Sequence, residues 1–290
     1  MILDHFISKA KYKDANIGIC LDDTDYHTNK IFYAAVKFFQ EFKSFLLRLH
    51  VFGPKNSIDL VLNNPSFEKY KSHFVLIESN NPAQDVFEHL RNFKINAIVR
   101  GSISASKFLN VLKNSLGVSE INRLALMETL NGAQFFFGPV GIDEANTIET
   151  KKEFIMNAIA QMESIKIKPK ISVLSGGRTG DLGRDENVDK TIHDAMEIVE
   201  IFQKETPIIE ISHSEILIEN AIKGNFNLII APDGISGNLI YRTLVHLGGG
   251  HAYGAIYMNI DKTIIDTSRV GNMDEIYGAL ILALALVSEF

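Results

Sequence analysis

The chain has 290 residues, of which 46% are hydrophobic and 22% are charged, and its formal net charge is -6 at pH 7. This composition is that of a globular chain with enough apolar residues for one large domain or two ordinary ones. The negative charge argues against general nucleic-acid binding. The single cysteine, Cys20, excludes an internal disulfide and a multi-cysteine metal site, and it fits a reducing cytoplasm.

Neither end of the chain resembles a targeting or membrane-spanning segment. The first residues, 1–6, lack the basic region and the long apolar region of a signal peptide. The most apolar segment, 276–287, is shorter than the roughly 20 residues that a membrane helix needs, so it predicts a core helix. We therefore expect a soluble, cytoplasmic protein without a membrane or nucleic-acid partner.

Short apolar runs alternate with segments of helical periodicity along the whole chain. This alternation predicts βαβ units and a mostly parallel sheet. The predicted strands are 17–21, 45–52, 74–77, 97–99, 125–129, 134–137, 171–175, 208–211, 228–231 and 263–266. The predicted helices are one from about residue 28, then 105–114, 150–162, 187–203 and a last one that begins near residue 274.

An acidic turn follows the first predicted strand. It contains Asp22, Asp23, Asp25 and His27, and the carboxylate oxygens of its aspartates could hold a hard cation. Acidic residues also gather before helices because they cap the first turn and interact favourably with the helix dipole. The capping interpretation is the stronger one, and we expect no metal site.

The loop 175–184 lies between a predicted strand and a long predicted helix. Its four glycines allow a close backbone approach to a ligand, and Arg178 and Arg184 add positive charge for an anion. The loop lacks the Lys-Ser/Thr ending of a nucleoside-triphosphate loop and the spacing of a dinucleotide fingerprint. It is either an anion site or a mobile surface loop.

A second glycine-containing turn, 232–238, joins the strand 228–231 to a helix with apolar spacing. Unpaired amides and the positive end of the helix dipole converge at such a turn, so it can bind phosphate or carboxylate. A third turn, Thr267-Ser268-Arg269, follows a strand and precedes Asp274 and Glu275. An arginine there could stabilise an oxyanion, or the turn could simply cap the last helix.

Taken in order and spacing, these blocks resemble the phosphate acetyl/butyryltransferase superfamily over about residues 95–290. The resemblance implies a two-domain α/β fold of the isocitrate/isopropylmalate-dehydrogenase type, with parallel sheets and an interdomain cleft. It implies a first domain of residues 1–116 plus 258–290, a second domain of residues 117–257, and a homodimer. The matching blocks are Ala97 to Ala105 with its Arg-Gly-Ser turn, 171–178, the Pro-Asp-x-x-x-Gly-Asn segment 232–238, 247–256 and Thr267-Ser268-Arg269.

The resemblance also implies roles for particular residues. Arg269 would stabilise developing charge, Ser268 would donate a hydrogen bond, and Glu275 or Asp274 would take the proton of a thiol. An acyl phosphate or another small phosphorylated substrate is expected, with no required cofactor and with coenzyme A or a related thiol as cosubstrate. The residues implied in ligand binding are Arg100, Gly101, Ser102, Gly176, Gly177, Arg178, Asp233, Gly237 and Asn238.

The chain departs from the acetyltransferases at several places. Val270 replaces the glycine of their Ser-Arg-Gly, and residues 74–96 are shorter than their segment with an active-site arginine, with Arg91 as the only arginine. Glu275 stands where they have a catalytic aspartate, and 25–29 replaces their acidic-Glu-Arg segment. In these departures the chain resembles a branch of the superfamily that is found in methanogenic archaea. This branch is labelled methyltransferase Mtx subunit X, a methanogenesis marker. No glycine-rich S-adenosylmethionine loop follows the first strand. Three functions stay open: an acyltransferase, a methyltransferase or methyltransferase partner holding a pterin-like or corrinoid-linked group, and a non-catalytic binding protein.

Overall fold

The computed structural model describes residues 1–287, which form two compact units. Unit 1 consists of Met1–Glu120 together with the chain from Ala252 onward, and unit 2 is Ile121–His251. The sequence-based boundaries lie at 116/117 and 257/258, a few residues away from these.

Strands and helices alternate through both units. The strands are β1 (Asn16–Cys20), β2 (Arg48–Gly53), β3 (Phe74–Glu78), β4 (Ala97–Val99), β5 (Asn122–Glu128), β6 (Gln134–Gly138), β7 (Lys170–Val173), β8 (Glu210–His213), β9 (Leu228–Ile230), β10 (His251–Met258) and β11 (Thr263–Asp266). The helices are α1 (Ile2–Ala10), α2 (Asp25–Glu41), α3 (Lys55–Leu62), α4 (Phe67–Tyr70), α5 (Pro82–Arg91), α6 (Ala105–Leu116), α7 (Ile148–Ser164), α8 (Glu186–Glu205), α9 (Ile218–Lys223), α10 (Gly234–His246) and α11 (Met273–Leu286).

In unit 1 the strands follow the order β3-β2-β1-β4-β11-β10. All neighbours are parallel except β10, which runs antiparallel to β11. The strands β1 and β4 are short continuous apolar runs, which is the pattern of strands buried on both faces. Because β1, β4 and β11 are adjacent and parallel, their carboxyl ends lie at one edge of the sheet, where open α/β sheets bind ligands.

Helix α11 forms the centre of unit 1. Every residue from Glu275 to Ala285 is buried, and the helix packs against α1, α2 and β11. A helix that is apolar on all sides belongs in a core, so the core helix predicted for 276–287 is confirmed as far as Leu286, with Val287 also buried beyond its end. Within residues 1–287 no helix combines the length and apolarity that a bilayer crossing requires.

In unit 2 the order is β5-β6-β9-β7-β8, with β5 antiparallel to β6 and the other neighbours parallel. The core holds Phe135, Phe136 and Phe137 of β6 together with Phe154 of α7 and Phe202 of α8, all of them almost fully buried. Because β6, β9 and β7 are parallel neighbours, the turns that follow them lie at one edge of this sheet, its carboxyl edge.

The fold class predicted from the sequence, α/β with mostly parallel sheets, is confirmed. The predicted strands lie within a few residues of the observed ones, whereas the strand β10 and the helices α1, α3, α4, α5 and α9 were not predicted. The chain enters unit 1 again at Ala252 rather than near residue 258, because β10 pairs with β11 through Ala255 and Ile256.

Candidate functional site

The turn after β4 lies directly against the end of β1. Gly101 has a φ of 72°, and a Cβ atom there would lie 2.0 Å from the carbonyl oxygen of Cys20. Only glycine permits this approach in this backbone conformation. The next amide, of Ser102, donates to the same carbonyl oxygen at 3.0 Å. The turn thus carries Ser102 to the first residues after β1.

Asp22, which follows β1, is held by hydrogen bonds at several atoms. Its Oδ1 accepts from Ser102 Oγ at 2.9 Å, and its backbone N–H donates to the same hydroxyl at 2.9 Å. Its carbonyl oxygen accepts from Ser57 Oγ at 2.7 Å, and its Oδ2 lies 2.8 Å from His27 Nδ1. The carboxylate therefore has a fixed position at the carboxyl edge of the sheet.

The acidic cluster around Asp22 has the composition of a cation site. Among residues 1–287, no three His, Cys, Asp or Glu side chains are grouped closely enough to hold a metal ion. Asp22 and His27 bond to each other, while Thr24 is the N-cap of α2 and Asp25 lies in its first turn.

The turn after β11 brings Ser268 and Arg269 to the same edge. Thr267 Oγ1 donates to the carbonyl oxygen of Gly101 at 2.9 Å, which links this turn to the one after β4. Arg269 Nε donates to the carbonyl oxygen of Ser102 at 3.1 Å and lies 3.9 Å from Asp22 Oδ2. The Arg269 side chain is 49% exposed, and neither of its Nη atoms bonds to any residue in 1–287.

Arg100 has the opposite environment. Its side chain is only 6% exposed, and Nε donates to the carboxylate of Asp266. Nη1 donates to the carbonyl oxygen of Ile103 at 2.6 Å, and Nη2 donates to that of Thr267. This guanidinium ties the turn after β4 to the turn after β11, so its geometry is structural rather than that of an anion ligand.

The two carboxylates predicted as proton acceptors are also engaged. Glu275 is 2% exposed, and its Oε1 accepts from the backbone N–H of Ser268 at 2.6 Å. Asp274 forms an ion pair with Lys37 at 3.1 Å on the outer side of α11. Glu275 therefore orients the Ser268 turn, and Asp274 belongs to a surface pair.

Lys30 also belongs to this site, although the sequence analysis did not predict it. It lies on the buried face of α2, and its Nζ donates to the carbonyl oxygens of Arg269 at 2.9 Å and Gly271 at 2.6 Å. Burial lowers the pKa of the Lys30 ammonium, while the carboxylates of Glu275 and Asp22 oppose that shift. Its place beside Ile31 in an apolar helix face was the available clue.

In unit 2, the loop after β7 is stabilised by its own side chains. Ser175 Oγ donates to the carbonyl oxygen of Gly177 at 2.8 Å and lies 2.8 Å from His213 Nε2. The amide of Gly176 donates to Thr191 Oγ1, also at 2.8 Å. Arg178 is exposed, and its guanidinium bonds to no residue in the described chain. Arg178 is the group of this loop that remains open to a ligand.

The turn after β9 uses its distinctive residues for packing. Asp233 caps α10 by accepting from the backbone N–H of Ser236 at 2.7 Å. A Cβ atom on Gly237 would lie 1.9 Å from the carbonyl oxygen of Pro139, and Asn238 Nδ2 donates to that of Val140 at 2.9 Å. The Gly-Asn pair thus packs α10 against the segment after β6.

The sequence and the fold are both similar to those of known proteins. The family profile of phosphate acetyl/butaryl transferase matches residues 87–284. A protein of Methanosarcina mazei named "Putative methyltransferase mtx subunit X" is 42% identical over 78% of this chain and 79% of its own length. This relative and the family profile both cover most of the chain.

Solved structures share the fold at low sequence identity. A phosphotransacetylase from Streptococcus pyogenes covers 99% of this chain and 98% of its own, with a TM-score of 0.71 and 18% identity. A 4-hydroxythreonine-4-phosphate dehydrogenase from Burkholderia phymatum covers 94% of this chain and 97% of its own, with a TM-score of 0.57 and 14% identity. The fold is therefore the dehydrogenase-like α/β fold of these enzymes. With the family profile matched over residues 87–284, the chain belongs to the phosphate acetyl/butaryl transferase family.

Proposed function

We propose that unit 1 binds the phosphate group of a small substrate at the carboxyl edge of its sheet, through the Nη atoms of Arg269 and the hydroxyl of Ser268. The observation that carries this proposal is the tethering of Arg269. One edge of its guanidinium is fixed to the carbonyl oxygen of Ser102, while both Nη atoms stay open. A planar guanidinium fixed in this way presents paired donors that match phosphate oxygens.

The proposed reaction is acyl transfer between phosphate and a thiol such as that of coenzyme A. In this reaction Arg269 stabilises the charge that develops on the acyl and phosphate oxygens, and Ser268 donates a hydrogen bond. The backbone of this turn is held by Lys30 and Glu275, so the donors are preorganised. Membership of the acyltransferase family supports this reaction class.

Unit 2 carries a separate candidate anion contact. Arg178, at the carboxyl edge of the sheet in unit 2, could bind an anion by itself, because its guanidinium is exposed and bonds to no described residue. A cytoplasmic homodimer is expected from the family resemblance, and light scattering of the purified protein measures the assembly directly.

The alternative is methyl transfer, or a partner role in it, and the observation that favours it is the name of the Methanosarcina mazei relative. In that case the open edge around Arg269 would hold a phosphorylated or carboxylated methyl donor of the pterin type. The residues after β1 are Leu21 and Asp22 rather than a glycine-rich turn, which disfavours S-adenosylmethionine at that place.

A ligand panel and a transfer assay separate these functions. The purified protein is heated with inorganic phosphate, acetyl phosphate, butyryl phosphate, coenzyme A, S-adenosylmethionine or a pterin. A ligand at 100 times its Kd raises the free energy of unfolding by about 2.7 kcal/mol. The proposal expects stabilisation by acyl phosphates or coenzyme A, and loss of free thiol when both are present. Stabilisation by a pterin alone, without thiol loss, would favour the alternative.

A further inference from the structure

The pair formed by His27 and Asp22 is not used by any role assigned above. His27 lies in the first turn of α2, which begins at the carboxyl edge of the sheet in unit 1. Asp22 Oδ2 lies 2.8 Å from His27 Nδ1 and 3.9 Å from Arg269 Nε. The imidazole and the open arginine therefore flank the same carboxylate oxygen.

The Asp22 carboxylate determines which ring nitrogen of His27 carries the hydrogen. Its Oδ1 already accepts from Ser102 Oγ, and an ionised carboxylate can only accept hydrogen bonds. His27 Nδ1 must therefore be the donor, so in the neutral ring the lone pair is on Nε2. Nε2 bonds to no other residue of the described chain, and the His27 side chain is 14% exposed.

These features are those of a base oriented by a second group. Asp22 is fixed by Ser102 and Ser57, so it holds the ring in one orientation and one tautomer. It also lies where it can stabilise a positive imidazolium. By contrast, the carboxylate of Glu275 is buried and accepts from the Ser268 amide, and Asp274 is paired with Lys37.

We propose that His27, oriented by Asp22, is the proton-transfer group of this site, an inference that rests on the proposed acyl transfer. The thiol of the acceptor gives its proton to His27 Nε2 as sulfur bonds to the carbonyl carbon of an acyl phosphate. The bond between that carbon and the phosphate oxygen then breaks, and its electron pair leaves with phosphate. The imidazolium returns its proton to solvent or to the released phosphate.

The test is His27→Asn, because the asparagine amide can still donate to Asp22 while the second nitrogen of the ring is absent. General-base catalysis contributes on the order of a hundredfold to ten-thousandfold. We expect turnover with acyl phosphate and coenzyme A to fall at least about a hundredfold, with the KM for acyl phosphate and the melting temperature close to wild type. The matched control is Asp25→Asn, which removes an exposed charge from the same helical turn and should leave turnover unchanged.

Asp22 acts through His27, so its test is a double-variant comparison. Asp22→Asn alone should lower turnover, and combining it with His27→Asn should cost little beyond His27→Asn alone, since groups that act as a unit are not additive. Fully additive losses would overturn the assignment of Asp22 as the residue that positions His27.

A measurement on the wild-type protein removes any dependence on the folding of the variants. Diethyl pyrocarbonate is added, and carbethoxylation of His27 is followed by peptide mass spectrometry alongside activity. Modification of His27 at the same rate as the loss of transfer supports the inference. Complete modification of His27 with full activity, or His27→Asn with wild-type turnover, overturns it. If the wild-type protein transfers no acyl group to a thiol, the proposed function fails and this inference fails with it.

Discussion

Two arginines follow neighbouring strands of the sheet in unit 1, and they have opposite environments. Arg100, after β4, is buried and donates to Asp266 and to two carbonyl oxygens. Arg269, after β11, is half exposed and fixed through Nε alone. The position of an arginine at the end of a strand therefore says little about its role. The role depends on how many of its donors the protein already uses.

The largest effect that separates the two arginines is on stability. Arg100→Met leaves the Asp266 carboxylate buried without its partner guanidinium, which typically costs about 3–5 kcal/mol. The free energy of unfolding, measured by urea denaturation, should fall by that amount. Arg269→Met is the matched control and should change it by about 0.5 kcal/mol or less. Equal losses in the two variants would contradict the contrast.

The next effect is on function, and here Arg269 rather than Arg100 is expected to matter. In Arg269→Ala, turnover should fall by about a hundredfold or more, because a preorganised donor to developing charge is removed. The stabilisation of the protein by phosphate or coenzyme A should fall as well. The melting temperature and the ligand-induced shift are measured on the same sample. A lower melting temperature with an unchanged ligand shift would mean that the Ser268-Arg269 turn is only structural.

A similar contrast between a buried and an exposed side chain exists between two histidines, His50 and His193. Burial lowers the pKa of His50 to about 4, with further contributions from His89 and Arg48. The unfolded chain then binds more protons than the folded one between pH 6.5 and 4, so stability falls as the pH falls through this window.

Allowing for solvent screening, we expect the free energy of unfolding to fall by about 2 kcal/mol between pH 6.5 and 4 because of His50. His50→Gln should remove it, which unfolding midpoints measured between pH 7 and pH 4 would reveal. The matched substitution His193→Gln, at an exposed position of α8, should leave the pH dependence in place. Parallel pH profiles for wild type and His50→Gln would show that His50 is not the source.

The smallest expected effect concerns Asp274. Its carboxylate pairs with a Lys37 ammonium that is 43% exposed, and such pairs are worth about 0–1 kcal/mol. Asp274→Asn should therefore change stability by less than about 1 kcal/mol, and turnover by less than about twofold if the carboxylate takes no proton. Thiol-loss kinetics measure the second quantity. A large loss of turnover would restore Asp274 as the proton acceptor expected from the sequence.

The sequence was sufficient for the fold class, because short apolar runs and helical spacing are local properties. It also placed Ser102, Ser268 and Arg269 at strand ends. It could not show that the Arg100 guanidinium forms a buried ion pair with Asp266. That pairing depends on the register of β4 against β11, in which Val99 lies beside Ile265 and thereby brings the two next residues together.

The role of the turn after β9 could not be predicted from the sequence either. Its Gly-Asn pair has the composition of an anion site, yet Gly237 and Asn238 contact a segment almost 100 residues earlier in the chain. His27 illustrates the converse case. Its proximity to Asp22 was visible, but the hydrogen bond from Ser102, 80 residues away, is what fixes that carboxylate. Each residue's role depends on a partner that is distant in the sequence.

The return of the chain to unit 1 affects the order in which the protein can mature during synthesis. Unit 2 is one uninterrupted segment, so all of its strands have been made once residue 251 has left the ribosome. Unit 1 at that stage lacks β11, and β4 has an open edge of unpaired amides and carbonyls. Asp266, the partner of Arg100, is also still missing. Unit 1 thus remains incomplete after the whole segment of unit 2 has been made, and the exposed edge of β4 is open to mispairing until β11 has been synthesised.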